Sequence, residues 1–175
     1  MEKKLFLPFE ILYLEDGTEL RLCKGVVSRR GGDRKVYCSE EGLFYSLSVR
    51  GLNQIKPFVT KNWHRKPNVH SNYPRLCGYV GNPCCHILVA VAWLGPRPDG
   101  CVVDHLNGIL SDYRAANLQW ITPTENRKRA VILRARRMIA RQGGRPELLP
   151  ENMKPEELLE LFNAYNVAGD VYEGE

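Results

Sequence analysis

Between Ile11 and Leu47, apolar residues come in short runs broken by turn formers, which is the pattern of strands. Ile11-Leu12-Tyr13-Leu14-Glu15 and Thr18-Glu19-Leu20-Arg21-Leu22 flank Asp16-Gly17 and predict a hairpin with a two-residue turn. Val36-Tyr37-Cys38 and Leu43-Phe44-Tyr45-Ser46-Leu47 flank the turn Ser39-Glu40-Glu41-Gly42. Leu76 to Val80, a turn at Gly81-Asn82 and Cys84-Cys85 predict another hairpin. From His86 to Leu94 the chain is apolar nearly all round, which predicts a buried helix. Cys101-Val102-Val103 is a short strand that ends in Asp104-His105. Leu106 to Ala116 holds Asn107-Gly108, Ser111 and Asp112 and reads as a loop. Leu118-Gln119-Trp120-Ile121-Thr122 alternates up to Ile121 and fits a half-buried strand.

A helix start follows. Thr122 is placed to cap, Pro123 to open the first turn and Glu125 to close a capping box. This helix runs to about Gln142 and ends at Gly143-Gly144. At about 100° per residue, Val131, Ile132, Ala135, Met138 and Ile139 share one arc. Arg127, Arg129, Arg134, Arg136, Arg137 and Arg141 share the opposite arc, and Asn126 falls inside it. A short helix is expected from Pro155 to Ala164.

Charge adds an asymmetry to this plan. Residues 1–146 carry 24 Lys and Arg against 12 Asp and Glu, whereas residues 147–175 carry one Lys against eight acids. A basic body suits a polyanion partner. The segment from Lys56 to Arg75 mixes Lys61, Trp63, His64, Arg65, Lys66, His70 and Tyr73, a composition that fits either backbone contacts with base stacking or a solvated loop. The longest apolar run, Ile87 to Leu94, is too short to span a bilayer, and the N-terminus has no adequate apolar leader, so a cytoplasmic protein is expected. Six cysteines occur with no C-x-x-C, which predicts free and mostly buried thiols.

Chemistry concentrates in Val102 to Arg129. Asp, Asn and His near a helix start suit a hard divalent cation and a base. A neutral imidazole takes a proton from water near pH 7. Neighbouring strand residues point to opposite faces, so Asp104 and His105 share a site only where the strand ends or distorts.

Asp104-His105, Asn107-Gly108, Asp112, Asn117-Leu118, Trp120, Thr122 and Glu125-Asn126 together resemble the HNH endonucleases of the His-Me finger, or ββα-metal, class. The likeness is strongest to the phage- and intron-encoded homing and nicking branch, and it covers roughly Gly78 to Arg129. His86-Ile87-Leu88-Val89-Ala90 and Ala92-Trp93-Leu94-Gly95 resemble the helix that precedes the motif in that branch. The resemblance implies His105 as general base. It implies Asp104 and Asn126 as ligands of one Mg2+ or Mn2+, and Asn117 as the residue that pins the loop and orients His105. Some relatives hold a structural zinc on paired C-x-x-C motifs; this chain lacks them, and no zinc is expected. Relatives usually have Arg after the upstream His, where this chain has Ile87, which counts against a substrate role for that pair; on a buried helix His86 is read as a hydrogen-bonded structural histidine.

The expected fold is α+β, a His-Me finger core behind an N-terminal antiparallel β region. It divides into residues 1–75, a nuclease core at 76–144 and an acidic tail at 145–175. The expected function is a metal-dependent DNA endonuclease acting on double-stranded DNA. Arg127, Arg129, Arg134, Arg137 and Arg141 would contact the DNA backbone. The alternative is an HNH-fold nucleic-acid-binding module without turnover. Oligomeric state stays open.

Overall fold

The computed structural model describes residues 10–31, 34–59 and 73–141, together with 157 and 160. The aromatic and basic stretch around Trp63, His64 and His70, the helix end at Gly143-Gly144 and the apolar side chains of the 155–164 segment lie outside the described residues. The chain is mixed α and β with antiparallel sheets, and it forms two compact units, Met1–Trp120 and Ile121–Glu175.

The first unit opens with a five-stranded sheet in sequence order: β1 (Ile11–Tyr13), β2 (Glu19–Leu22), β3 (Lys35–Ser39), β4 (Phe44–Ser48) and β5 (Gly51–Ile55). Every neighbouring pair is antiparallel. The β1–β2 hairpin forms, but its loop has three residues rather than two. Leu14 N–H donates to Thr18 O at 3.0 Å and Gly17 N–H to Leu14 O at 3.0 Å. A two-residue Asp-Gly turn of the mirror-image type needs positive φ at both central residues. Gly17 adopts φ +83°, whereas Asp16 stays in the ordinary region, so the chain takes a common turn followed by a left-handed glycine. The β3–β4 turn repeats the design, with Gly42 at φ +79° and Ser39 N–H donating to Leu43 O at 2.9 Å. β5 was not legible in the sequence: Asn53 and Gln54 interrupt any apolar alternation, and the strand exists because its backbone pairs with β4.

The region before the first helix is knitted by isolated bridges, Phe58 with Arg75, Arg75 with Cys84 and Ser28 with Tyr79, instead of the expected regular hairpin. Helix α1 (Cys85–Trp93) then packs on β2, β3 and the later strand β6 (Val102–His105). Burial is not uniform around α1: Cys85, His86, Leu88, Val89 and Ala90 are buried, whereas Ile87 and Val91, one turn apart, face outwards. The core joins Val36, Cys38 and Phe44 of the sheet to Leu76, Leu88 and Val89, with Ala115 and Leu118 beside them. Each buried Val, Leu or Phe among them contributes about 1.5–3 kcal/mol. Trp93 fixes the helix end on the sheet: its indole N–H donates to Cys38 O at 3.3 Å, and the Arg21 guanidinium lies 4.1 Å from its ring centroid. All six cysteines are free thiols.

β6 pairs with β7 (Leu118–Ile121) in a separate two-stranded sheet, and a 3-10 turn, Ala115–Asn117, leads into β7. The connecting loop rests on the β3–β4 turn. Ala115 N–H donates to Glu40 O at 2.9 Å, and a Cβ placed on Gly42 would lie 2.8 Å from ring carbons of Tyr113.

In the second unit, α2 (Pro123–Arg141) begins as expected. Glu125 N–H donates to Thr122 Oγ1 at 3.2 Å, and Thr122 N–H donates to Glu125 Oε2 at 3.1 Å, a reciprocal capping box. Ala135 is buried, whereas Val131, on the arc predicted to be apolar, is exposed. Arg127, Lys128, Arg134, Arg137 and Arg141 are exposed, and Arg129 and Arg136 are half-buried. No described helix is long and apolar enough to cross a membrane.

Candidate active site

Asp104 and His105 close β6, and both are buried, at 7% and 3% exposure. Because β6 ends at His105, the two neighbours escape the strict alternation of a continuing strand. Asp104 Oδ2 accepts a hydrogen bond from Gln119 Nε2 on β7 at 2.9 Å. The His105 ring lies 5.2 Å from His86 and 6.0 Å from Tyr73, and His86 lies 4.5 Å from Tyr73. Three rings from three separate segments therefore meet at the end of β6.

The loop after His105 is held by polar side chains. Leu106 N–H donates to Asn117 O at 2.8 Å, and Asn107 N–H to Asn117 Oδ1 at 3.0 Å. The Asn117 amide group donates in turn to Asn107 Oδ1 at 3.0 Å and to Asp112 O at 2.7 Å. One buried asparagine thus pins both ends of the loop that follows the histidine. Asn107 donates to Asp112 Oδ2 at 2.8 Å, and Arg114 grips both Asp112 oxygens at 2.8 and 2.9 Å. The Arg114 guanidinium, followed by the Asn107 amide, holds the Asp112 carboxyl down at about 2.

Burial pushes the His105 imidazole below its ordinary value, and the Asp104 and Asp112 carboxylates oppose this without overcoming it. His86 is driven further, down to about 4, by burial first and then by His105 and Arg75. Both rings are therefore neutral near pH 7. Among the described residues, His105 Nε2 and His86 Nδ1 are buried without a hydrogen-bond partner. A neutral imidazole with an unengaged buried nitrogen is suited to accept a proton or a hydrogen bond from a small molecule.

Asn126 stands in the first turn of α2, in the second unit, where it is half-buried and its N–H donates to Thr122 O at 2.9 Å. Among the described residues no three His, Cys, Asp or Glu side chains cluster as a metal cage. A buried carboxylate such as Asp104 and an amide oxygen such as that of Asn126 are hard donors. Each is of the donor type that Mg2+ takes; Asp104 belongs to the first unit and Asn126 to the second. Sequence reasoning missed the places of Gln119 and Tyr73; His86, read as a structural histidine, lies against Tyr73 and His105. The alternation of β7 marked Gln119 as a polar position but carried no sign of its partner. Tyr73 had no sign beyond its aromatic, basic surroundings.

Residues 84–128 match the family model of HNH endonucleases, and the family resemblance read over roughly Gly78 to Arg129 is borne out over that span. The span runs from the start of α1 into the first turns of α2. A solved structure of the HNH homing endonuclease I-HmuI, concerning DNA binding and cleavage by that enzyme, is similar at 23% identity and a TM-score of 0.42. The likeness covers 60% of this chain and 60% of that one. No curated protein matches.

Proposed function

We propose that the protein is a metal-dependent DNA endonuclease of the phage or mobile-element type, with a ββα-metal site, that hydrolyses phosphodiesters in double-stranded DNA and nicks one strand per active site. The observation that carries this reading is the buried, neutral His105, with Nε2 unengaged among the described residues, on a strand end pinned by Asn117 and beside the Asp104 carboxylate.

His105 Nε2 accepts a proton as water attacks phosphorus, and the nearby Asp104 carboxylate favours the imidazolium that forms. Asn117 acts through the loop: by fixing Leu106 and Asn107 it fixes the backbone leaving His105. Gln119 holds one Asp104 oxygen and so sets the carboxylate's direction. Asp104 and Asn126 would hold the divalent ion, which, when bound, supplies charge stabilisation at the scissile phosphate and the leaving oxygen. The cationic residues of α2, Arg127, Arg129, Arg134, Arg137 and Arg141, would neutralise backbone phosphates and make binding salt-sensitive.

The test is conversion of supercoiled plasmid in Mg2+, Mn2+ or EDTA, beside His105→Ala. The expected result is metal-dependent open-circular product, reduced about 10²–10⁴-fold in the variant. Equal cutting by His105→Ala would remove the base assignment. Salt-sensitive binding with no product in any metal would favour the module without turnover.

A further inference from the structure

His86 lies outside the roles assigned so far. It occupies the first turn of α1, is 7% exposed, and its ring is fixed against Tyr73 at 4.5 Å. Among the described residues Nδ1 has no hydrogen-bond partner, and a histidine retained only as packing would bear a desolvation cost that an apolar ring of similar size avoids. Such nitrogens in native structures are ordinarily met by ordered water. The second uncompensated imidazole nitrogen, His105 Nε2, belongs to the neighbouring ring, 5.2 Å away between centroids. Tilted rings at that centroid separation can share one water between their edges, each hydrogen bond about 2.7–3.2 Å long.

We infer that His86 is a second catalytic histidine: its Nδ1 and His105 Nε2 together hold the attacking water. This rests on the nuclease reading above. Water has two O–H donors. With one directed at each imidazole nitrogen, both lone pairs of the oxygen stay free, and one of them is directed at the phosphorus. His105 Nε2 takes one proton as the new O–P bond forms. The bond from phosphorus to the departing sugar oxygen breaks, and that oxygen is protonated from solvent. The second hydrogen stays on the transferred oxygen, directed at His86 Nδ1 until product leaves. His86 moves no proton; it fixes the direction of attack.

The structure separates this role from mere ring packing. His86→Phe keeps a ring against Tyr73 and His105 but removes the acceptor. His86→Asn removes the ring but places an amide oxygen close to where Nδ1 stood. Single-turnover cleavage is expected to fall about 10–10²-fold in His86→Phe and to recover in large part in His86→Asn, with DNA affinity by band shift unchanged in both. Parent-rate cutting by His86→Phe overturns the inference, as does equal loss in both variants. A measurement on the unaltered protein needs neither variant to stay active: 15N NMR of the histidine rings should show His86 Nδ1 unprotonated at neutral pH. A protonated Nδ1 cannot accept from water and overturns the proposal. If the parent does not cut DNA in any metal, the nuclease reading fails and the role of His86 fails with it. If the parent cuts and only the His86 results go the other way, the nuclease reading stands.

Discussion

The two helices hold their places by opposite means. α1 carries no charged residue, has no side-chain cap and buries five of its nine residues. α2 carries a reciprocal capping box and a run of cations, and Ala135 is the residue it buries. An uncapped helix of nine residues has no stability of its own in water, so α1 exists because the sheet and β6 cover it. A helix positioned by packing holds its side chains to the tolerance of the core. That is the helix on which His86 stands beside His105. A helix specified by local signals leaves its surface available, and α2 uses that surface for charge.

The sharpest way to break this contrast is one substitution in each helix. Val89→Asp buries a carboxylate among Leu88, Phe44 and their neighbours, and should cost several kcal/mol, enough to unfold the first unit in a urea titration. Val131→Asp, at a position 37% exposed, should change stability by only about 0.5 kcal/mol.

Acid tests the burial of α1 next. His86 in the fold takes a proton near pH 4, and in the unfolded chain near 6.5. Between these values the unfolded state binds the extra proton, so stability falls as pH drops from about 6.5 to 4 and His86 adds nothing further below that. The loss amounts to about 3 kcal/mol at most, and it should appear as a falling Tm across that window, largely flattened in His86→Asn. A flat profile in the parent would mean that His86 binds its proton equally well in the folded and unfolded chain.

The smallest effect belongs to the capped helix. Thr122→Ala removes the side-chain half of the box and should cost about 1 kcal/mol, read as lost helicity or a lower denaturation midpoint. Loss on the scale of Val89→Asp would show that α2 depends on more than its own start signal.

What the sequence made legible follows the same division. Local physics was readable: Thr122, Pro123 and Glu125 announce α2, and the α1 boundaries fell within one residue of expectation. The Asp104-His105 pair was found where β6 ends, because the residue types and the turn formers after them sit together in the chain. Asp16-Gly17 marked a turn correctly but not its length, because a left-handed glycine preceded by an ordinary Asp favours a three-residue loop. Non-local facts were not readable. No spacing rule connects Tyr73 to His86 and His105, or Gln119 to Asp104; these meetings are made by the isolated bridges around Arg75 and by strand pairing. The exposed Ile87 and Val91 were hidden for the same reason: an all-apolar helix does not say which side lacks a neighbour.

The contact of Gly42 with the Tyr113 ring bears on modularity. The loop that follows His105 is braced from outside the matched span, by a glycine with no side chain and by the backbone of Glu40. The HNH segment of this protein is accordingly not a portable cassette. A graft of residues 84–128 into another scaffold would bring His105 and lose the footing of the loop after it, whereas a graft that also carries the β3–β4 turn would bring both.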